Sequence, residues 1–260
     1  MAKKKPEDEA TDTALATTKR SVPVAMQVAD GVDAKDVRGK EGLDTSDVTL
    51  PRISICQNNS PEKDEDDAKF IEGLKEGDLF NTLTQDIYGN KDSLLEFVVI
   101  RPMKRAMEFD EDRNIVDFDV PWDDPRCEFR TVDGKRLKPL ATRFYDYVVF
   151  LPAFGDTALL SFSNTKIKAA KKLNSLIALR PGPSWAGRYA LGVVKEENDQ
   201  GKFFNVTVAP KGKTDADTMA EADRLYEQFR GKTVKSDVDP DADGAEKEPT
   251  TRRNADGVPF

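Results

Sequence analysis

Alternating apolar and polar positions predict a β-rich core in the middle of this 260-residue chain. A strand is expected wherever every second side chain is apolar or where a short apolar run is bounded by turn residues. Six such runs stand out, at residues 48–55, 94–102, 141–151, 158–162, 187–194 and 202–209. Shorter runs between residues 70 and 88 bring the expected total to about six to eight strands. The turn-forming run 198–201 joins the last two runs into a hairpin.

Two other segments follow the helical period. The first, Asn164–Leu179, places Ile167, Ala170, Leu173 and Ile177 on one face and ends before Pro181. Ser163 and Thr165 are the residue types that cap helix N-termini.

The second helical segment, Thr214–Lys232, carries one apolar stripe formed by Met219, Ala222, Leu225 and Phe229. We expect the stripe to pack on the β core; pairing of the stripe between two subunits stays open as an alternative.

Short strands, Gly/Pro turns and one intervening helix predict a mainly β fold with α, namely a β-barrel of the OB-fold-like type. The first helix would occupy the slot between the third and fourth barrel strands. The predicted organisation is a disordered arm at 1–47, an OB-like nucleic-acid-binding core at 48–213, an amphipathic helix at 214–235 and a disordered acidic tail at 236–260. Both arms are rich in charged and small residues, so they cannot bury enough apolar surface to offset their ordering entropy.

Composition excludes several classes of protein. No apolar run approaches the ~20 residues of a membrane span, and the start of the chain lacks the apolar segment of a secretory signal. The expected location is therefore cytoplasmic, in the host cell if a phage encodes the chain. The chain has 2 cysteines, Cys56 and Cys127, which favour neither a disulfide framework nor a zinc site. It has no histidine, the commonest general base, so we expect no enzyme and no cofactor.

The acidic stretch 108–125 raises the question of a metal site. Asp110, Asp112 and Asn114 follow the spacing at the start of a calcium loop, but Ile115 stands where such a loop needs glycine. A metal-dependent nuclease would need carboxylates that converge on rigid elements. A solvated loop without a metal is the preferred interpretation.

Charge is distributed unevenly along the chain. The net charge is −8, yet residues 161–213 carry 10 basic and 3 acidic groups, for a net +7. Such a basic island beside aromatic residues indicates nucleic-acid binding. The predicted phosphate contacts are Lys166, Lys168, Lys171, Lys172, Arg188 and Lys202, and the predicted stacking rings are Trp122, Tyr145, Trp185 and Phe203.

The last residues, Asp256-Gly257-Val258-Pro259-Phe260, resemble the acidic tail tip of bacterial single-stranded DNA-binding proteins. That resemblance implies partner binding by Asp256, Val258, Pro259 and Phe260, with replication or recombination proteins as partners. Arg252 and Arg253 interrupt the acids, and Gly257 stands where a further acid is expected.

The central part of the chain is also similar to a group of bacteriophage proteins. The similarity lies in the Pro-Arg-Ile strand of 50–55, the Gly-Asp-Leu-Phe-Asn turn of 77–81 and the Asn-x-x-Gly-x-Phe-Phe run of 198–204. Together these resemblances predict a non-sequence-specific single-stranded DNA-binding protein of phage replication or recombination. The alternative is a non-enzymatic phage structural or host-interaction protein that binds no DNA.

Overall fold

The computed structural model describes residues 38–39, 41–42, 49–90, 92–111, 114–198, 201–232 and 234–236. Two α-helices lie in this part of the chain, α1 (Ile167–Ala178) and α2 (Ala216–Phe229). The strands are β1 (Thr49–Leu50), β2 (Ile53–Ile55), β3 (Leu79–Asn81), β4 (Ile87–Gly89), β5 (Leu95–Phe109), β6 (Ile115–Val120), β7 (Arg130–Val132), β8 (Lys135–Leu137), β9 (Ala141–Leu151), β10 (Asp156–Phe162), β11 (Gly187–Asn198), β12 (Gly201–Lys213) and β13 (Lys235–Ser236).

The largest sheet is antiparallel and has the strand order β10-β9-β5-β11-β12, with β6 beside the second half of β5. Three smaller sheets accompany it: β2-β3-β4, the hairpin β7-β8, and a parallel pair of β1 with β13. The prediction of a mainly β fold with two helices is confirmed.

The central strands of the large sheet are buried on both faces. On β5, Phe97 and Val99 point into an inner core, whereas Val98 and Ile100 point into an outer core. Tyr147 and Val148 divide in the same way on β9. Because both sets of alternating side chains are apolar, the first half of β5 contains the continuous apolar run 97–100, as is typical of a strand buried on both faces.

Helix α1 lies between the two edges of the curled sheet. It contacts β9 and β10 at one edge and β12 at the other. Its Leu173 is fully buried in the inner core. The hydroxyl oxygen of Tyr147 lies 2.8 Å from Asn174 Oδ1 and 3.2 Å from the carbonyl oxygen of Ala170, which holds the helix against β9.

Closure of the barrel differs from the prediction. In the part of the chain that the structure describes, β10 and β12 share no hydrogen-bond ladder, so the β structure is not a closed barrel. Residues 51–57 connect these edges instead. The backbone N–H of Leu159 on β10 donates to Pro51 O at 2.8 Å. At the other edge, Gln57 Nε2 donates to Phe204 O at 2.8 Å, and Phe204 N donates to Gln57 Oε1 at 2.9 Å.

The small sheet β2-β3-β4 is tied to the large one by a close contact and a polar network. Gly77 lies against the ring of Phe204 on β12. Buried Asn81 donates from Nδ2 to the Tyr88 hydroxyl at 2.6 Å, and that hydroxyl donates to Asp156 Oδ2 at 2.9 Å. Two of the three resemblance segments, 77–81 and 198–204, therefore meet where Gly77 contacts Phe204.

Helix α2 covers the outer face of the large sheet. Asp215 caps its N-terminus by accepting a hydrogen bond from Thr218 N at 2.9 Å. Ala222, Leu225 and Phe229 join the outer core, and Met219 packs against it. The predicted packing of this stripe on the β core is thus confirmed.

Two local predictions were wrong. The acidic stretch after residue 108 is not a loop: β5 runs on to Phe109, and β6 pairs with it in register Ala106↔Val120. The predicted N-cap residues of the first helix also fail, because Ser163 precedes a short 3₁₀ turn without a side-chain capping bond and α1 starts after Lys166. Residues 1–37, 40, 43–48 and 237–260 lie outside the described residues, and with them nearly all of the predicted arm (1–47) and tail (236–260).

Candidate nucleic-acid interface

The predicted stacking and phosphate-binding residues fall into separate places. Trp122 and Tyr145 lie at the end of the β5–β9 pair where residues 103–108 pair with residues 141–146. Lys202 and Phe203 lie near the tip of the β11–β12 hairpin, which extends beyond β5 at the opposite end of the sheet. The fold therefore does not bring all ten predicted residues onto one surface.

The first place holds a cluster of two rings and two cations. The Trp122 and Tyr145 rings are 5.1 Å apart at 75°. Lys104 Nζ lies 5.2 Å from the Trp122 ring centroid and 5.9 Å from that of Tyr145, and the Arg143 guanidinium lies 5.5 Å from the Trp122 centroid. We call these four residues the ring–cation cluster. Cations within about 6 Å of a ring centroid are attracted to its π face.

The strand ladder explains why these side chains meet. Lys104 is directly opposite Tyr145, and Ala106 is opposite Arg143. The side chains of Lys104, Tyr145 and Arg143 therefore project from the same face of the β5–β9 pair. Trp122 follows β6, and its backbone is held in place by Arg143, whose Nε donates to the Trp122 carbonyl oxygen at 3.1 Å. The ring–cation cluster is thus built on paired strands.

The cluster carries two positive charges, one of them paired with an acidic side chain. Arg143 donates from Nη2 to Glu128 Oε1 at 2.6 Å, and this hydrogen bond raises the pKa of Arg143, so the guanidinium stays charged. No acidic side chain in the described ranges pairs with Lys104. The Trp122 and Tyr145 rings are both partly exposed.

Helix α1 adds positive charge. Its Lys168, Lys171 and Lys172 are exposed, and none of them pairs with an acid of the described chain. Lys166 is partly buried at the start of the helix. Residues 157–195 contain no Asp or Glu at all. Phe162, which lies opposite Tyr145 on the neighbouring strand, leads within a few residues into α1, so the helix begins at the same end of the sheet as the ring–cation cluster.

Two predicted residues are engaged within the fold. Trp185 is only 8% exposed and packs on Tyr226 of α2, with ring centroids 4.7 Å apart. Arg188 pairs with Asp215 and, at 3.6 Å, with Glu96. Neither side chain belongs to the ring–cation cluster, so we leave both out of the proposed interface.

Sequence reasoning missed both cations of the cluster. Arg143 could have been found, because it stands two residues before Tyr145 in a strand that was predicted with its observed bounds. Lys104 could not, because the strand was expected to end at Pro102 and the polar residues after it gave no signal of continuation.

The acidic residues near β6 are held by one cation. Arg126 Nη1 lies 2.6 Å from Glu108 Oε2 and 3.1 Å from Asp117 Oδ2, and its Nη2 lies 3.1 Å from Asp124 Oδ2. Hydrogen bonds to Asp124, Glu108 and Asp117, in that order of effect, raise the pKa of Arg126. Within the described ranges, no group of three His, Cys, Asp or Glu side chains is arranged to hold a metal ion.

The tail residues Asp256, Val258, Pro259 and Phe260 lie outside the described residues, so their partner-binding role stays a prediction. Within the described residues, no helix combines the length and the apolar character needed to cross a membrane.

Fold and surface together define a class: a mainly β protein with a curled antiparallel sheet, one helix between its edges and a projection that carries aromatic and basic side chains. The chain belongs to the Pam3 phage gp34-like protein family, whose sequence model matches residues 17–235. The predicted similarity to a group of bacteriophage proteins is thereby confirmed. No curated protein and no solved structure matches the chain.

Proposed function

We propose that this protein binds single-stranded DNA without sequence preference and serves phage DNA replication or recombination. The observation that carries the proposal is the ring–cation cluster, Lys104, Trp122, Arg143 and Tyr145, on a projection of the sheet. The lysines of α1 and the acid-free stretch 157–195 extend its positive charge. Membership of a phage protein family supports the setting.

The chemistry of single-stranded DNA matches this surface. Every base has a π face, so an aromatic ring that stacks on bases binds them whatever their sequence, at about 1–3 kcal/mol per base. Lysine and arginine beside the ring neutralise phosphates and release counterions, so the affinity falls steeply as salt concentration rises. A base stacked on Trp122 would place its flanking phosphates near Lys104 and Arg143.

The test is fluorescence anisotropy of labelled oligo-dT at low and at moderate salt with the full-length chain. We expect salt-sensitive binding by the wild type, and a loss of about 5- to 150-fold for Trp122→Ala, the equivalent of one lost stack. The matched control is Phe118→Ala, because Phe118 is 60% exposed on the neighbouring strand β6 without belonging to the ring–cation cluster.

Circular dichroism melts of both variants show whether Trp122→Ala remains folded. Equal affinities of the two folded variants would remove the ring–cation cluster from the proposal. The absence of binding by the wild type at low salt would overturn the DNA-binding function and favour the alternative, a structural or host-interaction protein.

A further inference from the structure

The β7–β8 hairpin is exposed on both faces. All six of its strand residues are exposed, and its apolar side chains remain uncovered, with Val132 at 49% and Leu137 at 39% exposure. Phe129, just before the hairpin, is 55% exposed. A two-stranded hairpin is marginally stable in water by itself, and uncovered apolar groups of this kind mark sites of interaction.

The hairpin and its flanks are strongly basic. Residues 129–140 carry four basic groups, Arg130, Lys135, Arg136 and Lys138, against one acidic group, Asp133, in a chain of net charge −8. None of these four cations pairs with an acid of the described chain. The Arg136 guanidinium stacks over the Phe129 ring at 3.9 Å. A ring with a cation beside it is the same combination as in the ring–cation cluster.

The root of the hairpin lies beside the ring–cation cluster. Arg143 donates one hydrogen bond to the Trp122 carbonyl oxygen at 3.1 Å and another to Glu128 at 2.6 Å. One guanidinium therefore joins Trp122 to the residue immediately before Phe129. Buried Cys127 packs with Ala106, Val120 and Ala141 below this point and anchors the root to β5, β6 and β9. A strand of DNA that leaves Trp122 thus has the hairpin as its neighbour.

We propose that the β7–β8 hairpin binds the same DNA strand as the ring–cation cluster and engages the nucleotides that extend beyond Trp122. Phe129 stacks on a base, and Arg136 and Lys138, which alternation places on the same face as Phe129, contact the phosphates, while Arg130 and Lys135 add positive charge on the other face. The inference rests on the proposed function and deepens it, because it assigns a second part of the interface and a longer binding site.

Charge decides between DNA and a protein as the ligand of this hairpin. A protein partner that covers Val132 and Leu137 would also have to desolvate or neutralise Arg130 and Lys135, which share that face of the hairpin. Single-stranded DNA neutralises such cations with its phosphates, and it offers the face of a base to the Phe129 ring on the other face of the hairpin.

The test compares an oligo-dT of about 30 nucleotides with one of about 8, lengths that span common site sizes of single-stranded DNA binders. The variant is Phe129→Ala/Arg136→Ala in the full-length chain, and the matched control is Val116→Ala/Phe118→Ala, which truncates two exposed apolar side chains of β6. We expect the hairpin variant to lose about 5- to 150-fold in affinity for the long oligonucleotide, with little change for the short one. The control keeps the wild-type affinity for both.

Each outcome separates the two proposals. If the wild type binds and Trp122→Ala weakens binding while the hairpin variant binds both lengths normally, the hairpin inference alone is overturned. If the hairpin variant changes only the sedimentation of the protein and leaves DNA affinity intact, the hairpin is a protein-docking surface and the inference is again wrong. If the wild type binds no oligonucleotide at low salt, both proposals fall.

Discussion

Replacing Gly77 with alanine tests the junction that links the two edges of the sheet. Gly77 has φ +84°, a left-handed conformation, and a Cβ added there would lie 2.9 Å from Phe204 Cε1 and 3.0 Å from Cδ1. The Phe204 ring is only 5% exposed, and its backbone is held on both sides by Gln57. The ring therefore has little room to move away.

Two costs add in Gly77→Ala. A left-handed backbone conformation costs an alanine about 1–2 kcal/mol, and overpacking in a tight core costs about 1–3 kcal/mol. The expected loss in the free energy of unfolding is thus about 2–5 kcal/mol. The matched control is Gly73→Ala, which has a similar φ of +78° but no atom within 4 Å of its added Cβ. It should lose only the backbone cost, about 1–2 kcal/mol.

Urea unfolding of the wild type, both single variants and the pair Gly77→Ala/Phe204→Leu measures these terms. We expect Gly77→Ala to be less stable than Gly73→Ala by about 1–3 kcal/mol. The smaller side chain of Phe204→Leu should recover part of that difference in a double-mutant cycle. Equal losses for the two glycine variants, or strict additivity in the cycle, would show that Gly77 does not hold Phe204 and would refute the proposed junction.

Two further predictions concern charge. If α1 contacts DNA, the triple variant Lys168→Ala/Lys171→Ala/Lys172→Ala should make the slope of log affinity against log salt concentration shallower by about 2, because each lost phosphate contact contributes about 0.7 to that slope. An unchanged slope would exclude the helix from the interface. Burial raises the pKa of Asp156, a smaller raising effect comes from Asp86, and the hydrogen bond from Tyr88 opposes both. The folded state therefore binds this proton more tightly than the unfolded state, and stability falls as pH rises from the usual Asp range through the raised pKa. Asp156→Asn should remove that fall, so its gain over the wild type in urea unfolding grows as pH rises from the usual Asp range through the raised pKa; parallel stability curves would contradict the assignment.

Periodicity predicted the elements that bury apolar side chains. The strand 141–151 was predicted with its observed bounds, and the helix stripe of α2 was predicted with its correct partner surface. In both cases the packing that stabilises the element also produces the pattern in the sequence. The same reasoning predicted the hairpin of β11 and β12, whose turn residues mark its tip.

Elements that bury only a few small apolar side chains gave no such pattern. β5 continues for seven residues beyond Pro102, and two of the six residues of β6 are acidic, with Arg126 from the turn after β6 neutralising Glu108 and Asp117. Single-sequence patterns do not show a neutralising partner that comes from another element. The prediction of Trp185 as a stacking ring failed for a related reason. The sequence around a Trp in a basic segment does not show whether its ring faces solvent or, as at Trp185, the outer core.

The position of the ring–cation cluster follows from how the sheet is covered. In the body of the sheet, α1 lies over the inner face and α2 over the outer face, so aromatic side chains there, such as Tyr147 and Tyr189, become core residues. At the end of the β5–β9 pair, the same alternation leaves rings partly exposed. Tyr145 stands two residues before Tyr147 on the same face of the same strand; it packs at the margin of the inner core and also meets Trp122 and Lys104. The proposed interface therefore lies at this end of the β5–β9 pair, with the positive charge of α1 and of the β7–β8 hairpin nearby.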